Sequence, residues 1–242
     1  MAYIIIGATG DLGRTLAGLL AAKGCGLVLV ARKRDALEAL ADDIARAGHQ
    51  RPTVIAADVT EGPAYLKTVR ETASHLGGVE GLLLPIGQAI RDDLDTQSSE
   101  VSQLITVNLT AVLEAISGLW HELKAAPRPV LVGFGSIAAI RGRRRNLAYG
   151  AAKRALAAAF ESLTLRGTSD SIAVQFYVLG FMDTGKLAQE ATPLPKGDIA
   201  RLAAAVCAGL DQGSRKRWYP WWWWPLSLIL RHLPWALYRR II

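Results

Sequence analysis

Cysteine and methionine are scarce in this chain of 242 residues, with two of each. Cys25 and Cys207 form no CxxC pair, so no disulfide framework or redox dithiol is expected, and reduced thiols point to a cytoplasmic setting. The four histidines are scattered without metal-ligand spacing, and no metal site is assigned. The chain opens on an apolar strand, with no basic region or cleavage site before it, so no secretory signal is expected. Acidic residues are missing altogether from residue 214 onward, where six Lys/Arg occur. The formal charge of +7 therefore sits largely at one end. That asymmetry excludes a general nucleic-acid surface and marks one specialised segment.

What remains is an apolar, regularly alternating text. With 51% hydrophobic residues the chain is no disordered polymer, and its length suits one α/β domain with a full core. Short apolar runs read as buried strands at Tyr3 to Ile6, Leu27 to Ala31, Thr53 to Ala57, Gly81 to Leu84, Val130 to Phe134 and Ile172 to Leu179. Helical stretches fall between them, including Leu12 to Lys23, Asp35 to Ala47, Pro63 to Leu76, Ser98 to Ala125 and Ala151 to Leu165, and Asp198 to Leu210 follows the last strand. This pattern predicts a single doubly wound parallel sheet of Rossmann type, order 3-2-1-4-5-6 with room for a short seventh strand, flanked by helices on both faces. The domain is expected over 1–213, with 214–242 as a basic, tryptophan-rich tail.

The first strand runs straight into GATGDLGR, Gly7 to Arg14. Glycines at a strand–turn–helix junction allow a tight turn and let backbone approach a pyrophosphate at the helix N-terminus. The second strand ends at Ala31, followed by Arg32, Lys33 and Arg34, where an NAD-binding fold of this kind places an acid for the ribose 2′-hydroxyl. Guanidinium groups hold a 2′-phosphate instead. The expected cofactor is NADP(H) in preference to NAD(H), with Arg32 as main contact and Arg14 as helper.

Further on, Ser136 closes the Val130 strand run, and Tyr149 and Lys153 lie four apart, one turn along a common helical face. There an ammonium is expected to lower the phenol's pKa from about 10 toward the working pH, as a proton donor requires. A Ser, a Tyr thirteen residues later and a Lys four after that resemble the active site of the short-chain dehydrogenase/reductase family. The resemblance implies that Tyr149 protonates a carbonyl oxygen while a nicotinamide delivers hydride. It further implies that Ser136 polarises the carbonyl and that Lys153 binds the nicotinamide ribose.

The resemblance covers about residues 1 to 185. Asn108, in VNLTA, matches the family's active-site Asn, which interrupts its helix and holds a water beside the Lys. Cofactor contacts are implied at Gly7, Thr9, Asp11, Leu12, Gly13, Arg14, Arg32, Asp58, Val59, Gly87, Tyr149, Lys153, Gly180, Met182 and Thr184. Departures are visible too. Asp11 replaces the middle glycine of the usual motif and is expected to point to solvent. PIGQA stands where most members carry NNAG, and Leu179 replaces a proline before Gly180. Gly7, Gly10 and Gly13 equally resemble the extended branch that includes sugar-nucleotide epimerases. An epimerase or dehydratase using NAD, a nucleotide-sensing protein without chemistry and a membrane scaffold are the rival functions.

The end of the chain holds six of the seven tryptophans. Within it the uncharged run Trp218 to Leu230 is 13 residues long and contains two prolines, whereas a spanning helix needs about 20 apolar residues. Trp mixed with Arg suits an anionic membrane interface or packing on a second subunit or the chain's own domain. Arg141, Arg143, Arg144 and Arg145 form either a solvated loop or a clamp for a substrate phosphate. Together these features resemble the branch containing decaprenylphosphoryl keto-pentose reductases. The reading is an NADPH-dependent reductase of an apolar or lipid-linked ketone, a cytoplasmic homodimer peripheral to the membrane.

Overall fold

The computed structural model describes residues 1–88, 97–184 and 194–241. Among them seven strands, β1 (Ala2–Ile6), β2 (Gly26–Ala31), β3 (Thr53–Ala56), β4 (Val79–Leu84), β5 (Val130–Ser136), β6 (Ala173–Leu179) and β7 (Arg215–Tyr219), form one sheet. Its order is β3-β2-β1-β4-β5-β6-β7 and every pairing is parallel. The helices in chain order are α1 (Asp11–Ala22), α2 (Arg34–Arg46), α3 (Tyr65–His75), α4 (Ser98–Ile105), α5 (Ala111–Lys124), α6 (Leu147–Asp170), α7 (Ile199–Gly209), α8 (Trp223–His232) and α9 (Trp235–Ile241).

The strands are apolar at successive positions because both faces of the sheet are covered. Side chains alternate between the faces. In β1, Ile4 and Ile6 join a core with Leu66 and Val69 of α3, Val112 and Ile116 of α5, and Leu156 and Phe160 of α6. Tyr3 and Ile5 face the other way, onto Leu16 and Leu20 of α1, Leu37 of α2 and Leu202 and Val206 of α7. Two apolar layers and the right-handed crossovers of parallel strands bring every strand's carboxyl end to one edge.

The stretch from Ser98 to Lys124 is apolar enough, and at 27 residues long enough, to cross a membrane. Here Leu104, Val112, Ile116 and Leu119 from that stretch are buried within the domain. It is not one regular helix. Thr106–Thr110 winds as a π-turn, with the Ala111 amide donating to the Thr106 carbonyl five residues back, and it separates α4 from α5.

The end of the chain packs on its own domain, one of the placements its composition allowed, and supplies the seventh strand. β7 starts at Arg215 and pairs with Gln175 to Leu179 of β6, so the sheet extends past the 1–213 boundary. Trp223 and Tyr238 are buried. Arg141, expected in a solvated loop or a phosphate clamp, ties this end down instead. Its Nη1 donates to the carbonyls of Leu230 and Leu233 at the end of α8, and its guanidinium lies 4.2 Å from the Tyr238 ring centroid. The Tyr238 hydroxyl returns a bond to the Gly142 carbonyl at 2.7 Å. Cations at a helix C-terminus and over an aromatic face are both favourable, which explains why this arginine is taken out of solvent.

Phe160 stacks on Phe176 with ring centroids 4.7 Å apart, and the backbone of Gly133 lies against its ring. Phe160→Ala is expected to cost about 3–5 kcal/mol, measured by urea unfolding. A loss below about 1 kcal/mol would contradict this packing.

Candidate active site

The carboxyl ends of β1, β4, β5 and β6 surround a cleft of about 340 Å³. On its β1 side the Gly-rich turn is built by close backbone contact. Gly7 has φ +95, and a Cβ at Gly13 would lie 2.4 Å from the Gly7 carbonyl oxygen, so neither position admits a side chain. The Arg14 Nε donates to the Thr9 carbonyl at 3.0 Å and braces the turn from outside. No side chain caps α1 at Gly10. The first-turn amides therefore keep the free donors that a helix start presents to an anion. Asp11 is exposed to solvent. It lines the cleft and sits in the first helical turn, where the helix dipole favours a carboxylate. This turn fits a bound pyrophosphate as to its glycines and its amides.

β5 delivers Ser136 to the opposite wall. Its Oγ accepts the Ala138 amide at 3.2 Å, and it shares the cleft lining with Tyr149, whose phenol pKa it acts to lower. Asn146, at φ 62, opens α6 in the left-handed region that Asn tolerates, and it also lines the cleft. One turn into α6, Tyr149 and Lys153 both face the cleft. Lys153 is 4% exposed, and its Nζ donates to the Phe134 carbonyl at 3.2 Å.

The electrostatics differ from expectation in one respect. Burial pushes the Tyr149 phenol above its ordinary range, and the opposing pull comes from the Ser136 hydrogen bond and the Arg143 charge. Lys153 is not among these causes: its amine donates to the Phe134 carbonyl and, held near 8, is uncharged at the pH where the raised phenol ionises. Burial instead pushes the Lys153 amine down to about 8.

Asn108 is fully buried on the π-turn. Its Nδ2 donates to the carbonyls of Leu104 at 2.9 Å and Gln88 at 2.8 Å, and its Oδ1 accepts the Gln88 amide at 3.3 Å. Asn108 thus braces the loop after β4 where PIGQ lacks asparagines of its own, while Ile86 is buried in the core. Both Asn108 and Lys153 converge on Gly87, where a Cβ would sit 3.3 Å from the Asn108 Oδ1 and 3.5 Å from the Lys153 Nζ.

The cleft gathers Asp11, Leu12, Gly13, Gly87, Ser136, Tyr149, Lys153, Gly180, Met182 and Thr184. Gly7, Thr9, Arg14, Arg32, Asp58, Val59 and Asn108 stand outside its lining. Arg32 and Asp58 follow the ends of β2 and β3 on the same edge of the sheet. Asp58 caps a short turn, its Oδ1 accepting from the Thr60 amide and hydroxyl. Burial works to raise its carboxyl, yet those bonds and Arg32 hold it below the usual range. Val59 is a core side chain, so only its backbone is available to a ligand. Arg34 pairs with Glu38 at 3.5 Å.

Phe181 was not singled out in the sequence. It lines the cleft and meets Trp223 edge to face, centroids 5.6 Å apart. Trp223 in turn packs against the bare Cα of Gly180. The signal was an aromatic after Gly180, but nothing local tied it to a tryptophan in α8. Residues 185–193 lie outside the described residues.

A parallel sheet in this order, with a cleft at the carboxyl ends of its strands, is a doubly wound fold of Rossmann type. The short chain dehydrogenase model matches residues 2–193, and the chain belongs to that family. It is 31% identical over 245 residues to an uncharacterized oxidoreductase of Mycobacterium tuberculosis, covering 98% of this chain and 96% of that protein. A hydroxysteroid 11-beta-dehydrogenase 1-like protein of Xenopus tropicalis is 26% identical, with 98% and 86% covered. Among solved structures, a short-chain type dehydrogenase/reductase from Mycobacterium ulcerans superposes with a TM-score of 0.80 at 18% identity, covering 90% of this chain and 86% of that one.

The lowered Lys153 amine gives a signed pH effect. Its folded value near 8 lies below the unfolded value of about 10.4. Between those limits the unfolded chain binds more protons, so this group makes stability rise with pH across the window. Thermal melting from pH 7 to 10 should show that rise, and Lys153→Met should flatten it relative to wild type. An unchanged pH slope in the variant would refute the assignment.

Proposed function

We propose that the protein is an NADPH-dependent ketoreductase for an apolar or lipid-linked substrate, a cytoplasmic homodimer that works against an anionic membrane surface. The observation that carries the chemistry is the convergence of Ser136, Tyr149 and Lys153 on one cleft at the end of β5. The nicotinamide, when bound, supplies a hydride to the carbonyl carbon. Tyr149 gives its phenolic proton to the carbonyl oxygen, and Ser136 donates a hydrogen bond to that oxygen as its negative charge grows. Lys153, with an amine held near 8, exchanges protons close to neutral pH and returns one to the phenolate through bridging water. Asn108 sets the position of Gly87 beside that amine and so orders the path from solvent.

Arg32 supports NADPH over NADH. Among the described residues it has no ion-pair partner, whereas Arg34 is engaged by Glu38. Leu179, Phe181, Met182, Ile199 and Leu202 give the cleft an apolar wall, which suits an apolar carbonyl compound. Arg143 at the same cleft suits an acidic group on that compound. The name of the frog relative, a hydroxysteroid dehydrogenase-like protein, agrees with an apolar substrate.

Tyr149→Phe should lower NADPH oxidation on a panel of lipid-like ketones by about 10²–10⁴-fold, the usual weight of a positioned acid. NADPH binding measured by fluorescence titration should stay within a few-fold. Retained turnover would end the catalytic role. Arg32→Asp should shift the NADPH/NADH preference toward NADH by about 10–100-fold, as loss of a charge-assisted bond implies. An unchanged ratio would remove Arg32 from the cofactor site.

A further inference from the structure

A second cavity, of about 300 Å³, lies behind the first. Ser136 lines both, so the end of β5 is their common wall. Its apolar floor comes from α6 and the sheet, with Ala157, Phe176, Val178 and Trp218. Around it stand Arg154 of α6, Lys216 of β7 and Arg231 of α8, against one carboxylate, Glu161. Lys216 pairs with Glu161 at 2.7 Å. Among the described residues Arg154 and Arg231 make no hydrogen bond or ion pair, although Arg231 helps hold the Glu161 carboxyl low after the larger effect of Lys216. Three cations and one acid leave this cavity two positive charges in excess.

The cavity opens beside the exposed face of α8. Trp224, Leu228 and Arg231 are spaced i, i+4 and i+7 and share one side of the helix. Trp224 and Leu228 are 56% and 43% exposed. Trp221 before the helix and Trp235 in α9 are exposed as well. The adjacent side of α8, about a quarter turn round the helix, is the one that packs, through Trp223 and Ser227. An apolar stripe bearing indoles thus leads to the unpaired guanidinium that lines a cationic cavity, and no acid lies anywhere from residue 214 onward.

We propose that this second cavity is a headgroup site for an anionic phospholipid, Arg154 and Arg231 holding the phosphodiester while the bilayer covers Trp224 and Leu228. Charge complementarity selects the occupant. Guanidinium groups bind phosphate oxygens bidentately, and indoles and leucines at the same edge settle at headgroup depth. A zwitterionic surface satisfies the stripe but leaves the cavity's excess charge unmatched. The site rests on the membrane-facing part of the proposed function and not on its chemistry. Ser136 is the residue the headgroup site shares with the catalytic cleft.

The test is sedimentation of the full chain with phosphatidylcholine vesicles, with and without phosphatidylglycerol. Wild type should bind the phosphatidylglycerol vesicles at least tenfold tighter. Arg154→Gln with Arg231→Gln should abolish that preference, whereas Arg239→Gln with Arg240→Gln, an equal loss of charge on α9, should change it less than threefold. Equal loss in both pairs means diffuse attraction and overturns the site. Millimolar inorganic phosphate should compete weakly. Full competition would indicate a soluble anion and also overturn it. If wild type ignores all vesicles, or runs as a dimer with Trp224 covered, the face belongs to another occupant and the proposal fails. Circular dichroism melting checks that the double variants fold, and turnover of a soluble ketone is read in parallel. Lost selectivity with intact turnover supports the site, whereas intact selectivity with no turnover in wild type sinks the ketoreductase reading alone.

Discussion

Every strand runs in the same direction, and a sheet built that way must be buried on both faces. The chain meets that demand with two separate apolar layers, one around Ile4 and Ile6 and one around Tyr3 and Ile5. The consequence for chemistry is positional. Connections return across the sheet to start each strand at the same end, so the turns after β1, β4, β5 and β6 all open on one edge. Gly10, Gly87, Ser136 and Gly180 stand at those strand ends and turns. Residues far apart in sequence are thereby brought into one cleft.

Within that cleft the order is kept by buried polar groups that would be costly if unpaired. Asn108 spends both ends of its amide on backbone, at Leu104 and at Gln88. This couples the π-turn to the loop after β4. Lys153, next to that loop, has its amine aimed at the Phe134 carbonyl in β5. A long helix, a loop and a strand end are held in register by two side chains, and a Cβ at Gly87 would press on the Asn108 Oδ1 at 3.3 Å.

The C-terminal residues follow a different logic. β7 adds to the sheet edge, Trp223 fills the space that Gly180 leaves, and Arg141 reaches across to close the end of α8. Such contacts bury one side of the segment and leave the other side apolar and exposed. The same segment is therefore a structural part of the cleft, through Phe181, and a surface with no partner among the described residues.

The sheet was legible because buried parallel strands are written as unbroken apolar runs, such as the residues of β1 and β5. Gly7 to Gly13 and the Ser136, Tyr149, Lys153 spacing were legible because they depend on local geometry, a tight turn and one helical repeat. Composition told that residues 214–242 were unusual but not where they go, since tryptophan and arginine suit a membrane, a subunit contact or a core equally well. Arg141 shows the limit most plainly. Among four arginines in one loop, nothing local distinguishes the one that binds carbonyls 89 and 92 residues away. The direction of the Tyr149 perturbation was likewise closed to the sequence. One turn of helix puts Lys153 on the same side as the phenol, but burial and the reach of its amine decide which of the two it serves. Periodicity and turn chemistry belong to neighbouring residues and survive in the linear text. Burial and long-range contacts belong to the folded chain, because they depend on which surfaces are brought together.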